Sequence, residues 1–296
     1  MAVLFRSGFV AVVGRPNVGK SSLVNTFVGG KVAIVSDKPQ TTRNRIMGVV
    51  NGEGYQLVLV DTPGMQSPRN RLGAFMESAV SHAMTDVDAI LCVVDGHSGL
   101  GERDEAAIER AVSSRKRVIL AVNKTDKAQP EEIAALCETL RQRPSIHAVY
   151  PVSALTGDGL APLLTVLIEM LPEGPAYFPE DMISDKTEDF LCAEAIREKA
   201  LLLLREEVPH GLGVELEKFM ERPDGLVEVH AVIYCERESH KRIIIGKGGR
   251  MLKRIGSMAR EDMEHFFDTK VFLSLYVKVR EEWRNSPRAL RDLGYD

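Results

Sequence analysis

Five short runs of β-branched and other apolar residues, at 9–13, 56–60, 89–94, 117–122 and 147–152, punctuate the first half of the chain. Several of the stretches between them carry apolar residues at helical spacing. Strands without polar alternation, separated by amphipathic helices, predict a parallel, doubly wound α/β sheet with both faces covered. Residues 45–50, then Asn51-Gly52-Glu53-Gly54, then 55–61 read as a hairpin, so one antiparallel edge strand is expected. A helical segment at 160–171 is followed by Pro172, Pro175 and Pro179, which predict a boundary: a first domain over 1–175, a linker over 176–188 and a second domain over 189–296. In the second half, 188–207 is patterned as an amphipathic helix with Phe190, Leu191, Ala195, Ala200 and Leu203 among its apolar positions. Residues 213–222 and 226–235 read as two strands around Pro223-Asp224-Gly225, and 271–279 is a final alternating strand.

Length changes the picture only by allowing two cores, since 296 residues are long for one domain. Cys92, Cys137, Cys192 and Cys235 are scattered without a C-x-x-C pair, which argues for reduced thiols and a cytoplasmic setting and against a disulfide framework or zinc site. No apolar run approaches the roughly 20 residues of a membrane helix, and the first strand leaves no room for a cleavable leader. The net charge of −4 is uneven. Residues 1–175 hold 18 basic and 18 acidic side chains, whereas 241–260 hold seven basic residues and no acid inside an otherwise acidic second half. Positive charge is local.

The chemistry lies in short words at the carboxyl ends of the apolar runs, where open α/β sheets bind ligands. In GRPNVGKS, Gly14 and Gly19 let backbone N–H groups of Asn17, Val18 and Gly19 turn toward a phosphate chain, and the helix that follows adds its positive end. Lys20 reaches the β- and γ-phosphates, Ser21 offers a hydroxyl to Mg²⁺, and Ser22 continues the phosphate cradle. In DTPG, Asp61 can hold Mg²⁺ through water while the Gly64 N–H meets the γ-phosphate. In NKTD, Asp126 accepts two hydrogen bonds from guanine N–H groups that adenine does not present there, and Asn123 and Lys124 brace the pocket. Ser153, Ala154 and Leu155 fit a loop whose backbone N–H reads the guanine carbonyl. The four words together specify a GTP- and GDP-binding hydrolase.

These motifs, with PQTTRNRI at 39–46 and ALRDLGY at 289–295, resemble the Era-type family of bacterial ribosome-assembly GTPases along the whole chain. The resemblance implies a P-loop NTPase G domain followed by a smaller α+β KH domain of the second topology. It implies that a switch threonine completes the Mg²⁺ shell, Thr42 by choice and Thr41 as the second option. Met65, directly after DTPG, stands where Ras-like GTPases place a water-orienting glutamine, and methionine cannot do that work. Some relatives instead use a P-loop asparagine to hold K⁺. Asn17 matches that position, with loop shaping as its simpler role, so catalysis is assigned to Lys20, Thr42, Gly64 and Asn17, with slow intrinsic turnover.

Gly246-Lys247-Gly248-Gly249 matches the G-x-x-G loop with which KH domains clamp about four nucleotides of single-stranded nucleic acid. By itself a basic glycine turn reads more readily as a solvated helix face than as an RNA clamp. The apolar triplet ending at Ile245, the acid-free run with Arg250, Lys253 and Arg254, and the last strand favour RNA. Residues 243–245 would be a strand by propensity, but the resemblance implies a short helix there and a longer one over 250–267. It further implies binding of the 3′ region of 16S-type rRNA and action on the 30S subunit; a monomer is expected, and peripheral contact with the cytoplasmic face of the membrane is left open by the sequence. The competing reading is a regulatory GTPase whose second domain binds protein or an anionic membrane surface. Trp283, the sole tryptophan, is expected to anchor packing rather than stack on a base.

Overall fold

The computed structural model describes residues 5–205, 208 and 211–295. The chain divides into two compact units: Met1–Ala33, Thr42–Ser67 and Met76–Asp185 form the first, and Ile34–Thr41, Pro68–Phe75 and Lys186–Asp296 the second.

The first unit holds six strands, β1 (Arg6–Val13), β2 (Ile46–Gly52), β3 (Tyr55–Asp61), β4 (Ala89–Asp95), β5 (Arg117–Asn123) and β6 (Ala148–Pro151), in the order β2-β3-β1-β4-β5-β6. Only β2 is antiparallel, across the predicted hairpin, whose Gly54 sits at φ +80°. The inner strands β3, β1, β4 and β5 are buried on both faces. Val10 and Val12 enter one core, packed by α1 (Lys20–Val28) and α5 (Leu160–Glu169), and Ala11 and Val13 the other, with side chains of α2 (Arg71–Ala83), α3 (Glu102–Ser113) and α4 (Pro130–Arg141). Each such valine removed from water contributes about 1.5–3 kcal/mol, which is why the runs lack alternation. Parallel register brings Asp61 beside Val12 and Asn123 beside Asp95, so the functional words emerge along one sheet edge.

The linker expected over 176–188 is corrected by the packing of its first ten residues. Ser184 bridges Gly48 on the outer edge of β2, Ile183 accepts the Val49 N–H at 3.0 Å, and Asp185 accepts the Met47 N–H at 2.8 Å. The buried Gln56 amide accepts from the Tyr177 and Phe178 N–H groups at 2.7 and 2.9 Å. Pro179 opens a turn, its carbonyl accepting the Met182 N–H at 3.1 Å, and the first unit runs to Asp185.

The second unit has a three-stranded sheet, β7 (Gly213–Glu221), β8 (Val227–Cys235) and β9 (Val271–Val279), with β7–β8 antiparallel and β8–β9 parallel. Alternate strand residues Val227, Val229, Ala231 and Ile233 pack with α6 (Glu188–Leu203), α7 (Glu238–Ile245) and α8 (Arg250–Phe267) in one core. Residues 243–245 close α7 rather than forming a strand, because Ile244 is buried in that core and Gly246 stops the helix. Trp283 is fully buried, its indole N–H on the Gly211 carbonyl at 2.9 Å and its ring against Tyr295, as a packing anchor.

One pattern differs from expectation. The core-facing line of α6 is Cys192, Ile196 and Ala200, continued by Leu204, while Phe190, Leu191, Ala195 and Leu203 are only partly covered. Glu194, Arg197, Glu198 and Lys199 are buried too, so the helix is enclosed on its polar side as well. The amphipathic reading assumed water there. Glu207, the expected end of the helix, lies outside the described residues.

Candidate functional site

The loop after β1 turns sharply because it has no room for side chains. At Gly14, φ +145°, a Cβ would overlap the Val93 carbonyl oxygen, and at Gly19, φ +96°, it would overlap Asn123 Nδ2. Asn17 also adopts a left-handed conformation, φ +66°, and is exposed, while Val18 is fully buried. Arg15 anchors the loop from outside through Asp104 at 2.8 Å and Ser98 at 2.6 Å. Lys20, first residue of α1, is 6% exposed, and its ammonium donates to the Gly14 and Arg15 carbonyls at 3.2 and 3.0 Å. Burial lowers its pKa to about 8, against the attraction of Asp61. Ser22 lies two positions further along α1, its carbonyl accepting from Thr26 at 2.8 Å.

Beside Lys20, three oxygens from distant parts of the sequence meet. The Ser21 hydroxyl donates to Asp61 Oδ2 at 2.6 Å and lies 2.8 Å from the Thr42 hydroxyl. Thr42, not Thr41, takes this place: the Thr41 hydroxyl turns to Ser36 and the Lys38 carbonyl. Asp61 is fully buried, its other oxygen Oδ1 has no hydrogen-bond partner among the described residues, and burial raises its pKa to about 6 in opposition to Lys20 and Ser21. An orphaned carboxylate oxygen among hydroxyls is the donor set that a hard cation satisfies. Gly64 packs so closely on the phosphate loop that a Cβ would lie 2.6 Å from Pro16 Cα. Met65 points away into the core, its N–H on the Gly14 carbonyl at 3.0 Å.

The base pocket is built by reciprocal bonds. Asn123, 2% exposed, donates to the Val18 carbonyl at 2.8 Å and accepts the Ala154 N–H at 3.0 Å, joining the first word to the fourth. Lys124, φ +67°, reaches the Asn17 carbonyl and Asp95 Oδ2, both at 2.7 Å. The Ser153 hydroxyl holds Asp126 Oδ1 at 2.6 Å, leaving the carboxylate's other oxygen for a ligand. Leu155 is 80% exposed beside it, an unusual position for leucine and one that a planar base would cover.

Asp95 was missed in the sequence. Burial pushes its pKa up, but the Lys124 ammonium and the Ser98 and His97 N–H groups outweigh this and hold it below the ordinary carboxylate range. Its signal was a carboxylate closing an apolar run, the pattern that identified Asp61.

In the second unit the glycine loop joins α7 to α8. Gly246, Gly248 and Gly249 all have positive φ, +72°, +60° and +77°. A Cβ on Gly246 would strike Met251, whereas one on Gly248 or Gly249 would meet nothing within 4 Å. Lys247 is exposed, Arg250 is exposed and bonds back to the Lys247 carbonyl at 3.2 Å, and Ile245 is partly packed into the core. A groove of about 350 Å³ opens along α8 and β9, lined by Gly249, Leu252, Lys253, Gly256, Leu273 and Leu275 among others. Lys253 lines it, and Arg254 does not. Gly256 keeps it open: even a Cβ there would come within 3.3 Å of Leu275. The groove's apolar floor was invisible in the charge pattern that picked out the cations.

Residues 9–124 match the family model described as 50S ribosome-binding GTPase, and residues 207–284 match the KH domain model. The chain is 47% identical over 291 residues to GTPase Era of Ruminiclostridium cellulolyticum, covering 98% of each chain, and 48% identical to GTPase Era of Clostridioides difficile strain 630, covering 99% of each. Two solved structures superpose with a TM-score of 0.94 at 38% identity, covering 98% of this chain and 99% of theirs: Era in complex with MgGDPNP and nucleotides 1506–1542 of 16S ribosomal RNA, and a point variant of Aquifex aeolicus Era bound to GDP·AlF4⁻. A glycine loop after β1, the joined NKTD and SAL loops and a second glycine loop thus occur in the order, fold and full length of one known group, and the chain belongs to the Era family of GTPases, with a G domain followed by a KH domain.

Proposed function

We propose that this GTPase is a slow, Mg²⁺-dependent switch whose nucleotide state sets the grip of its KH domain on the single-stranded 3′ region of small-subunit rRNA during 30S assembly. The observation that carries the reading is the open groove beside GKGG, exposed cations around an apolar floor, in a chain 38% identical over 98% of its length to an Era bound to nucleotides 1506–1542 of 16S rRNA. Cations attract the phosphates and the apolar floor receives bases, the division of labour expected for single strands. The buried, free cysteines suit a reducing compartment, and a cytoplasmic monomer is the expected form.

At the nucleotide site, Lys20 neutralises the terminal phosphates, the Gly64 N–H donates to the γ-phosphate, and Asp126 discriminates guanine. Ser21, Thr42 and Asp61 would hold Mg²⁺, as the MgGDPNP in the similar Era supports. The ion supplies charge neutralisation at the β- and γ-oxygens. Met65 is buried and leaves water unoriented, so turnover depends on help: Asn17, exposed on the loop, is assigned to a K⁺ that offsets developing charge. Turnover in K⁺ against Na⁺ at equal ionic strength tests this, and equal rates would remove Asn17 from catalysis.

The function itself is tested by crosslinking the full-length protein to cellular RNA with a GTP analogue or GDP bound. Recovery of the 3′ end of small-subunit rRNA, enriched with the analogue, is the expected result. Recovery of no RNA, or of membrane lipid instead, would transfer the assignment to the protein- or membrane-binding reading.

A further inference from the structure

Four charged residues of α6, Glu194, Arg197, Glu198 and Lys199, are each at most 8% exposed. Burying charge on a helix that needs only a core face is costly, and apolar residues of similar size serve stability as well or better. Their contacts give a different reason. The Arg197 guanidinium is held by both oxygens of Glu194 at 2.6 Å, and its remaining N–H groups donate to the backbone carbonyls of Gln40, at 3.4 Å, and Thr41. The adjacent Glu198 accepts the Val35 N–H at 3.0 Å. Two consecutive residues therefore hold both ends of Ile34–Thr41, a segment with neither helix nor strand of its own and with Gln40 at φ +62°. Glu198 also bonds Lys199 at 2.9 Å, and Lys199 pairs with Asp262 on α8 at 2.6 Å. Helix α8 is the one that begins at the GKGG loop.

The next residue after this segment is Thr42, whose hydroxyl meets Ser21. A one-residue lever separates a carbonyl fixed by Arg197 from the switch threonine. We propose that Arg197 and Glu198 form a clasp that positions Thr42 for the GTP-bound state, and that the Lys199–Asp262 pair ties the clasp to α8, so that RNA on the glycine loop and GTP in the nucleotide site favour each other. This rests on the RNA-switch reading above and names its coupling element. Arg197 is a positioning residue, since it acts through the backbone of Thr41.

The test measures RNA affinity with a GTP analogue and with GDP, at one salt concentration, for the wild-type protein, the charge-neutral double variant Glu194→Gln with Arg197→Met, and the conservative Arg197→Lys. Couplings of this kind run from about 5- to 150-fold. The wild type is expected to bind RNA at least fivefold more tightly with the analogue. In the double variant that ratio should fall to within twofold of one and kcat should drop, while affinity for GDP and for RNA in the GDP state stays; Arg197→Lys should recover part of the ratio. A merely structural role would lower all affinities together. Folded variants that keep the wild-type ratio overturn the clasp. Should the double variant melt early, Lys199→Gln with Asp262→Asn, on the less buried side, must also reduce the ratio, and an unchanged ratio there equally overturns the proposal. A wild-type ratio of one would instead overturn the switch reading on which it rests.

Discussion

The phosphate loop and the GKGG loop are both glycine turns that lead into the N-terminus of a helix, and they are built in opposite ways. Gly14 and Gly19 are glycine because the protein's own atoms, the Val93 carbonyl and Asn123 Nδ2, occupy the space a side chain would need. Gly248 and Gly249 face open space, and only their left-handed φ constrains them. The first loop is preorganised by packing and binds a ligand always of one shape. The second is left free for a flexible strand to approach the backbone closely.

The sharpest expected difference lies in selectivity. Asp126→Asn should shift preference from GTP toward xanthosine triphosphate by ~10⁴-fold, since one oxygen of Asp126 is already fixed by Ser153 and the other is free to read the base. Competitive binding of the two nucleotides checks this, and a retained GTP preference would mean the pocket is read elsewhere. Next in size is the contrast between glycines. Gly14→Ala forces a Cβ onto a backbone carbonyl and should cost about 3 kcal/mol, seen as a melting temperature lower by about 6–12 °C. Gly248→Asp should cost ~1 kcal/mol or less, because aspartate tolerates the left-handed conformation, yet weaken RNA binding about tenfold by repelling phosphates. Equal melting shifts for the two would erase the distinction between packed and open loops.

A smaller effect follows from Asp61. Its carboxyl is raised to about 6, so the folded, ligand-free protein holds more protons than the unfolded chain between about 4 and 6. Asp61's own contribution to the stability of that form should grow as pH falls through this window, whereas Mg²⁺-dependent nucleotide binding, which needs the carboxylate, should weaken by up to about tenfold per unit below 6. Taken as the wild type minus Asp61→Asn, melting and nucleotide titrations across pH 4.5–7.5 should move in opposite directions. Asp61→Asn should abolish the difference.

How much was legible depended on whether a residue answers to its neighbours in sequence or to a distant part of the chain. Strands of the first unit and the glycine turns follow from local pattern, so β1 to β5 and GRPNVGKS could be read directly. Residues 243–245 resisted because β-branched propensity points to a strand, and only packing of Ile244 against the sheet makes a helix. The stretch 176–185 looked like a linker because prolines mark it, while its partners on β2 and β3 lie over 120 residues away. Within the site, Lys20, Ser21, Thr42 and Asp61 converge as the words suggested, but Asp95 and the apolar floor of the groove needed three dimensions. The charged face of α6 was read as wet for the same reason.

The central claim is that nucleotide and RNA sites of this GTPase are coupled, and linkage makes it measurable from the nucleotide side alone. Affinity of the full-length protein for a non-hydrolysable GTP analogue, measured with and without saturating 3′-terminal small-subunit rRNA oligonucleotide at fixed salt, should tighten by at least about fivefold with RNA while affinity for GDP does not. Identical analogue affinities in the two conditions would contradict the account, leaving two independent binding sites on one chain.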